Sequence, residues 1–446
     1  MDESLLISNA RLINEGGEQC ADLLIRGGRI EKIAASIDAP PRAGVFDAEG
    51  RHLLPGMIDD QVHFREPGLT WKGDIASESR AALAGGITSF MDMPNTQPQT
   101  TTIEALEAKY ALAEGRAAGN FAFYFGGTND NLDEIRRLDP EQTCGIKLFM
   151  GASTGNMLVD DEETLRGIFQ DAPMLIATHC EDTPTIQANE ARFRARYGDE
   201  IPVRFHPEIR SAEACYRSSS LAIELARAYD TRLHVLHLSS ARELAQFDAV
   251  PLADKRITAE ACVHHLFFDQ RDYEQRGNFI KCNPAIKSER DKLAIRQALA
   301  DGRLDVIGTD HAPHTLEEKL EPSYFKAPAG LPLVQHALPM ALELYHDGVL
   351  GLPEVVEKTA HAPAELFGIV ERGYLREGYW ADLVLVDLDS RQRIERERIL
   401  YKCGWSPLEG EVLRSEVVAT WVNGRPLYAH GRFSGEAAGM RLRFRR

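Results

Sequence analysis

Histidine, aspartate and a single lysine recur in this 446-residue sequence where short apolar runs stop. Gln61-Val62-His63 closes the first run, Pro94-Asn95 follows the second, and Lys147 lies inside the fourth. His179 follows the fifth run, His237 sits in the sixth, and Asp310-His311 follows the eighth. Imidazole nitrogens and a carboxylate make a donor set suited to Zn2+ or a similar divalent ion. Any one of these histidines alone reads more readily as a hydrogen-bonded core residue; their arrival at the ends of different runs argues for one metal site. Lys147 is the odd member. Its stem could pack while its ammonium reaches water, but inside an apolar strand a charged lysine is costly and tends to lose its proton. A neutral amine can add CO2 to become a carbamate, an anionic oxygen ligand, although composition alone does not justify that step.

The runs that must position these groups are Leu53 to Ile58, Ile87 to Met93, Phe121 to Phe125, Gly145 to Met150, Met174 to Ala177, Leu233 to Leu238, Ile257 to Val263 and Leu304 to Gly308. Between them lie stretches with helical spacing, such as Ile75 to Ala84, Ile103 to Ala113, Glu163 to Phe169, Ser218 to Ala228 and Asp291 to Ala300. Short apolar strands alternating with helices predict parallel βαβ units. Eight units over roughly residues 55 to 345 suit a closed (β/α)8 TIM barrel, whose active sites lie at the C-terminal ends of the strands. The polar residues then meet at one mouth. Residues 4–50 alternate apolar and polar with Gly27-Gly28 at a turn, and 382–387 and 417–427 do the same with Asn423-Gly424 as a hairpin signal. The expected architecture is α/β: residues 1–54 and 366–446 share a small β-sandwich, and residues 55–365 form the metal-dependent barrel.

Composition narrows the partners. With 51 Lys+Arg against 68 Asp+Glu the net charge is −17, which argues against nucleic acid and anionic membranes as general partners. Seven cysteines without a CxxC spacing read as reduced thiols. No stretch approaches the roughly 20 apolar residues of a membrane span, and the N-terminus lacks a signal-peptide pattern. A cytoplasmic location is expected.

The stretch PGMIDDQVHFREPG (Pro55 to Gly68), with DMPNT, GIKLFMG, ATHCE, HVLHLS, NPAIK and DVIGTDHAPH, closely resembles the dihydroorotases of the amidohydrolase superfamily. ADLLIRGGRI and GYLREGYWADLVLVD resemble that superfamily's split β-sandwich, so the resemblance covers essentially the whole chain. It implies His63, carbamylated Lys147, His179, His237 and Asp310 as ligands of one or two Zn2+ ions, the carbamate bridging them. It implies Arg65, Asn95 and His314 as binders of the substrate carboxylate, with Asn283 and Pro328 to Pro332 near the pyrimidine ring. The implied reaction interconverts N-carbamoyl-L-aspartate and (S)-dihydroorotate, Asp310 serving in turn as general base and acid. A small anionic substrate, a homodimer and association with aspartate transcarbamoylase are the partners to expect. His234 is the better candidate for a core histidine, and His264 and His265 stay open, since one of an adjacent strand pair must point away from the barrel axis.

Two departures bear on these expectations. Gln61 stands where the family's first motif has histidine, and its neutral carbonyl is a weak ligand for Zn2+. A binuclear centre with fewer protein ligands, a single-metal enzyme and an inactive scaffold for aspartate transcarbamoylase are all open on that ground. Leu331 to His336 lacks the acidic residue that related bacterial enzymes usually carry. Another cyclic amidohydrolase, such as an allantoinase or a dihydropyrimidinase, is the alternative within the enzyme class, and Arg65 argues against it. Gly151 to Asp160, rich in glycine and serine, is either a mobile loop beside the site or an ordinary strand-to-helix connection.

Overall fold

Gly56 divides the first apolar run between two structures. In the computed structural model, which describes residues 4–151 and 157–446, Leu53 to Ile58 is not one strand. His52–Pro55 pairs antiparallel with Leu383–Asp387 in a sheet built from the chain ends, and Met57–Val62 opens the barrel. A Cβ on Gly56 would lie 2.2 Å from the Thr88 side chain, so only glycine lets the chain pass this close to its neighbour. Residues 152–156, within the glycine- and serine-rich stretch after Lys147, lie outside the described residues.

Eight parallel strands form the barrel: β1 Met57–Val62, β2 Ile87–Asp92, β3 Asn120–Phe123, β4 Ile146–Met150, β5 Ile176–Cys180, β6 Leu233–Val235, β7 Ile257–Cys262 and β8 Val306–Gly308. Pairing runs from β1 through β2 to β3, resumes at Phe125–Gly126, and continues in order from β4 to β8. A parallel bridge between Val62 and His311 closes the ring. The third apolar run is thus interrupted at Tyr124, and β6 stops at Val235, short of His237.

Phe90, Phe121, Ile146 and Ile176 of the strands bury themselves against Ile75, Leu106, Ile168, Ile223 and Ile295 of the surrounding helices. Each such burial contributes roughly 1.5–3 kcal/mol. Asp74, Thr102, Asp161, Ser211 and Ser288 cap the helices after β1, β2, β4, β5 and β7, each side chain accepting from the backbone N–H three residues on. Two long helices, with the short His206–Ile209 between them, follow β5 rather than one. Ser218 to Ala228 lies within Ala212–Tyr229, and Thr183–Tyr197 has no counterpart in the sequence reading because only Ile186 and Phe193 of it are buried.

The terminal strands make one sheet of nine, with Ser4–Asn14 and His52–Pro55 side by side at its centre. It rolls far enough that Phe46 meets Trp421 edge-on at 5.0 Å, enclosing Leu12, Leu23, Leu53 and Leu383. The small β domain expected from the two chain ends is present, its strands hydrogen-bonded in one sheet around a core of their own. Asn423 and Gly424 take φ 51° and 76°, as a two-residue hairpin turn requires. Among the described residues no helix is long and apolar enough to cross a membrane.

Candidate active site

The C-terminal ends of the strands enclose a cavity of about 680 Å3. His63, Lys147, His179, His237 and Asp310 line it, and so do Arg65, Asn95, Asn283 and His314. All nine residues nominated by the sequence are brought together, with Gln61 and Pro328 to Gly330 beside them. Arg65, His237 and Asp310 sit just beyond strands at φ 69°, 41° and 48°, where the chain turns off the barrel. A non-glycine residue in that region costs of order 1–3 kcal/mol, a strain that recurs at functional sites.

Tautomers follow from the partners. His179 Nε2 lies 3.0 Å from Glu181 Oε2, which Arg210 also engages, so Nε2 donates and Nδ1 keeps its lone pair. Burial pushes the Glu181 carboxyl up, but the Arg210 charge and the His179 hydrogen bond bring it down to about 2. His179 Nδ1 and His237 Nε2 approach to 3.0 Å. Burial, then the neighbouring His179 and Lys147, hold His237 well below the usual imidazole range, so it is neutral. His63 sits between two oxygens, its Nδ1 2.8 Å from Asn95 Oδ1 and its Nε2 3.2 Å from Asp310 Oδ1. Burial raises the Asp310 carboxyl, yet the His63 contact keeps it net below its ordinary value.

Lys147 has no exposed surface, and among the described residues its Nζ finds no hydrogen-bond acceptor. Burial drives it down to about 8 against the opposing charges of Asp310 and Glu260. Burial without an acceptor loosens the amine's hold on its proton, which enlarges the neutral fraction from which a carbamate forms. Converging imidazole lone pairs, a carboxylate held ionised and an unpartnered amine fit a divalent metal. Gln61 behaves otherwise than as a carbonyl ligand: its Nε2 donates to Asp310 Oδ1 at 3.1 Å.

The opposite wall carries Arg65 and Lys72, the latter ion-paired with Glu318 at 2.7 Å. Arg65 Nε donates to the Pro313 carbonyl at 3.0 Å, and burial lowers the guanidinium to about 10. Lys72 can only donate, and its Nζ lies 3.0 Å from His314 Nδ1. That nitrogen must accept, so Nε2 carries the hydrogen and meets the Ala329 carbonyl at 3.1 Å. The Arg65 terminal nitrogen, 3.2 Å from the same Nε2, finds no lone pair there and is left for an anion in the cavity. Asn283 Oδ1 is buried without a partner. Gly330 adopts φ 146°, and a Cβ there would lie 2.4 Å from the Ala312 carbonyl. Lys319 Nζ fastens the same loop by donating to Pro328 O at 3.0 Å and Gly330 O at 2.9 Å.

Glu181, Arg210, Lys72 and Lys319 escaped the sequence reading; only Glu181, two residues after His179, offered a local signal. His234 is a core residue as expected, bonded to Thr258 Oγ1 at 2.8 Å and Asp60 Oδ2 at 3.1 Å. His264 and His265 lie on the short helix Val263–Phe267, so strand alternation does not govern them.

The Amidohydrolase family profile matches residues 52–427. The chain is 35% identical over 393 residues to the dihydroorotase of Halobacterium salinarum, covering 88% of this chain and 89% of that protein. It is 32% identical over 437 residues to the allantoinase of Bacillus velezensis, covering 97% and 95%. The solved structure of the L-hydantoinase (dihydropyrimidinase) from Arthrobacter aurescens superposes with a TM-score of 0.93 at 28% identity, over 99% of this chain and 100% of that one. The profile spans most of the chain, and both relatives exceed 30% identity over nearly their whole lengths. The chain belongs to the Amidohydrolase family and is a hydrolase.

Proposed function

We propose that the protein is a dihydroorotase, interconverting (S)-dihydroorotate and N-carbamoyl-L-aspartate in pyrimidine synthesis. The observation that carries this reading is Arg65, a buried guanidinium with a free edge on the cavity wall opposite Asp310. A ring carboxylate would meet that edge in a bidentate pair, which lysine could not reproduce. Rings without a carboxylate would leave the guanidinium buried and unpaired.

Amidohydrolases in general work with a binuclear metal centre. His63, His179, His237, Asp310 and a carbamylated Lys147 would hold Zn2+ in this chain. The bound metal would polarise the ring carbonyl and lower the pKa of its water to about 7. Asp310, ionised despite burial, accepts the proton of the attacking water and returns it to the ring nitrogen as the amide opens. In the cyclising direction the same carboxylate takes the proton first from nitrogen. Arg65 and Asn95 hold the carboxylate, the His314 Nε2–H is shared between the Ala329 carbonyl and that carboxylate, and Asn283 offers its unpartnered Oδ1 to a ring N–H.

The second reading is an allantoinase or dihydropyrimidinase, favoured by the 32% identity to an allantoinase and by the likeness to an L-hydantoinase. Steady-state assays of the zinc-loaded protein on dihydroorotate, allantoin and dihydrouracil separate the two. Turnover of dihydroorotate at least a hundredfold more efficient than of the others supports the proposal, and preference for allantoin or dihydrouracil refutes it.

A further inference from the structure

We propose that Cys262, with His264 and His265, holds a second, thiophilic metal ion behind Gln61. At the end of β7 the chain passes directly into the helix Val263–Phe267, with Cys262 as its N-cap. This turn carries one thiol and two imidazoles, all buried, whose ligand atoms lie within 4.8 Å of one another. Their hydrogen bonding is incomplete in a directed way. His265 Nε2 lies 3.0 Å from the Pro284 carbonyl, an acceptor, so it carries the hydrogen and leaves the Nδ1 lone pair, which has no partner. A carbonyl that orients an imidazole for coordination through its other nitrogen is the usual support of a metal-binding histidine. His264 has no exposed surface; the Thr309 backbone is the polar group its ring faces, and among the described residues neither nitrogen completes a hydrogen bond of full geometry. Two buried histidines in contact, ring centroids 4.1 Å apart, each with a ring nitrogen left for a ligand, are hard to explain as core packing.

Position gives the cluster its meaning. Cys262 Sγ lies 4.0 Å from Gln61 Oε1 and 2.9 Å from Glu260 Oε1, which accepts the thiol hydrogen. Asp310 and the Thr309 backbone are the polar groups that act on His264. The cluster therefore abuts the cavity at the point where Gln61 supplies no imidazole. Thiolate with two imidazoles selects Zn2+ over Mg2+ or Ca2+. On binding, the Cys262 thiol proton passes to Glu260 Oε1, which already accepts it, and the Gln61 amide, turned toward Asp310 by its nitrogen, leaves its oxygen on the cysteine side. The inference does not depend on which cyclic amide is the substrate.

The test is a cobalt titration of the chelator-stripped full chain, read by absorption rather than activity. Wild type is expected to develop a thiolate-to-cobalt charge-transfer band in the near ultraviolet. Cys262→Ser, checked for folding by its melting curve, is expected to lose that band and to bind one equivalent of cobalt fewer. No band in the wild type, or a band that survives in Cys262→Ser, overturns the proposal. If the variant does not fold, zinc-edge X-ray absorption of the wild-type zinc protein decides instead. A sulfur scatterer at about 2.3 Å supports the site, and a shell of nitrogen and oxygen alone overturns it.

Discussion

Asp310 Oδ1 receives both the His63 imidazole and the Gln61 amide, and that convergence makes it the residue on which turnover should depend most. Asp310→Asn keeps the shape and removes the proton acceptor, so kcat should fall by at least about a hundredfold with the fold intact. Arg65→Lys keeps a charge but loses the fork. We expect kcat/KM for dihydroorotate to drop about a hundredfold, roughly 2.7 kcal/mol, mostly through KM. Glu181 touches no substrate; it fixes the His179 tautomer from behind while Arg210 holds it in place. Glu181→Gln should weaken metal binding about 10- to 100-fold, measured by competition with a chromophoric chelator. Unchanged metal affinity would remove Glu181 from this role.

At the scale of elements, strands fix the metal side of the cavity and loops fix the substrate side. Gly330 is the tightest point of the loop after β8, and alanine there would drive a Cβ to 2.4 Å from a backbone oxygen at φ 146°. Gly330→Ala should raise KM at least tenfold and lower the melting temperature, since the clash costs about 1–3 kcal/mol. The segment after β7 is braced by Asp269, whose carboxylate accepts from Arg271 and Lys292. Those contacts, the Arg271 hydrogen bond foremost, hold the Asp269 carboxyl below its usual range. A depressed carboxyl contributes stability above the unfolded pKa of about 3.9 and loses it as pH falls through the folded value. Asp269→Asn should therefore melt earlier than wild type at pH 7, the two curves converging as pH drops below about 4.

The strand ends were readable in the sequence because an apolar run that stops at His63, His179 or Asp310 marks both the strand and its polar mouth. The exact stops were less readable, because they are set across the chain. Gly56 hands over between two sheets only because Thr88 stands against it. Lys72 pairs with His314 across 242 residues and Arg210 with Glu181 across 29, distances over which no local pattern survives. The helix Thr183–Tyr197 buries two side chains and so lacks the apolar stripe that reveals a helix. The resemblance nominated the cavity residues that composition and periodicity alone left open, Lys147 above all.

For the whole molecule, a net charge of −17 opposes the approach of an anionic substrate, and the local attraction at the mouth comes from Arg65 beside the metal ligands. Local attraction within a Debye length of about 10 Å should then outweigh the global field at moderate salt. Between about 20 and 200 mM salt, kcat/KM should change by less than about threefold; a steep rise with salt would mean the surface charge still governs approach. The terminal sheet matters here by position alone, since Met57 leaves it to begin the barrel. The central claim is that the cavity hydrolyses a cyclic amide bearing a ring carboxylate. It is tested most directly by kcat/KM of the zinc-loaded protein on dihydroorotate and on dihydrouracil, which lacks only the carboxylate, in wild type and Arg65→Ala. Wild type should prefer dihydroorotate at least a hundredfold, and that preference should collapse in the variant. Equal efficiency on the two substrates in wild type, or a preference that survives loss of Arg65, would contradict it.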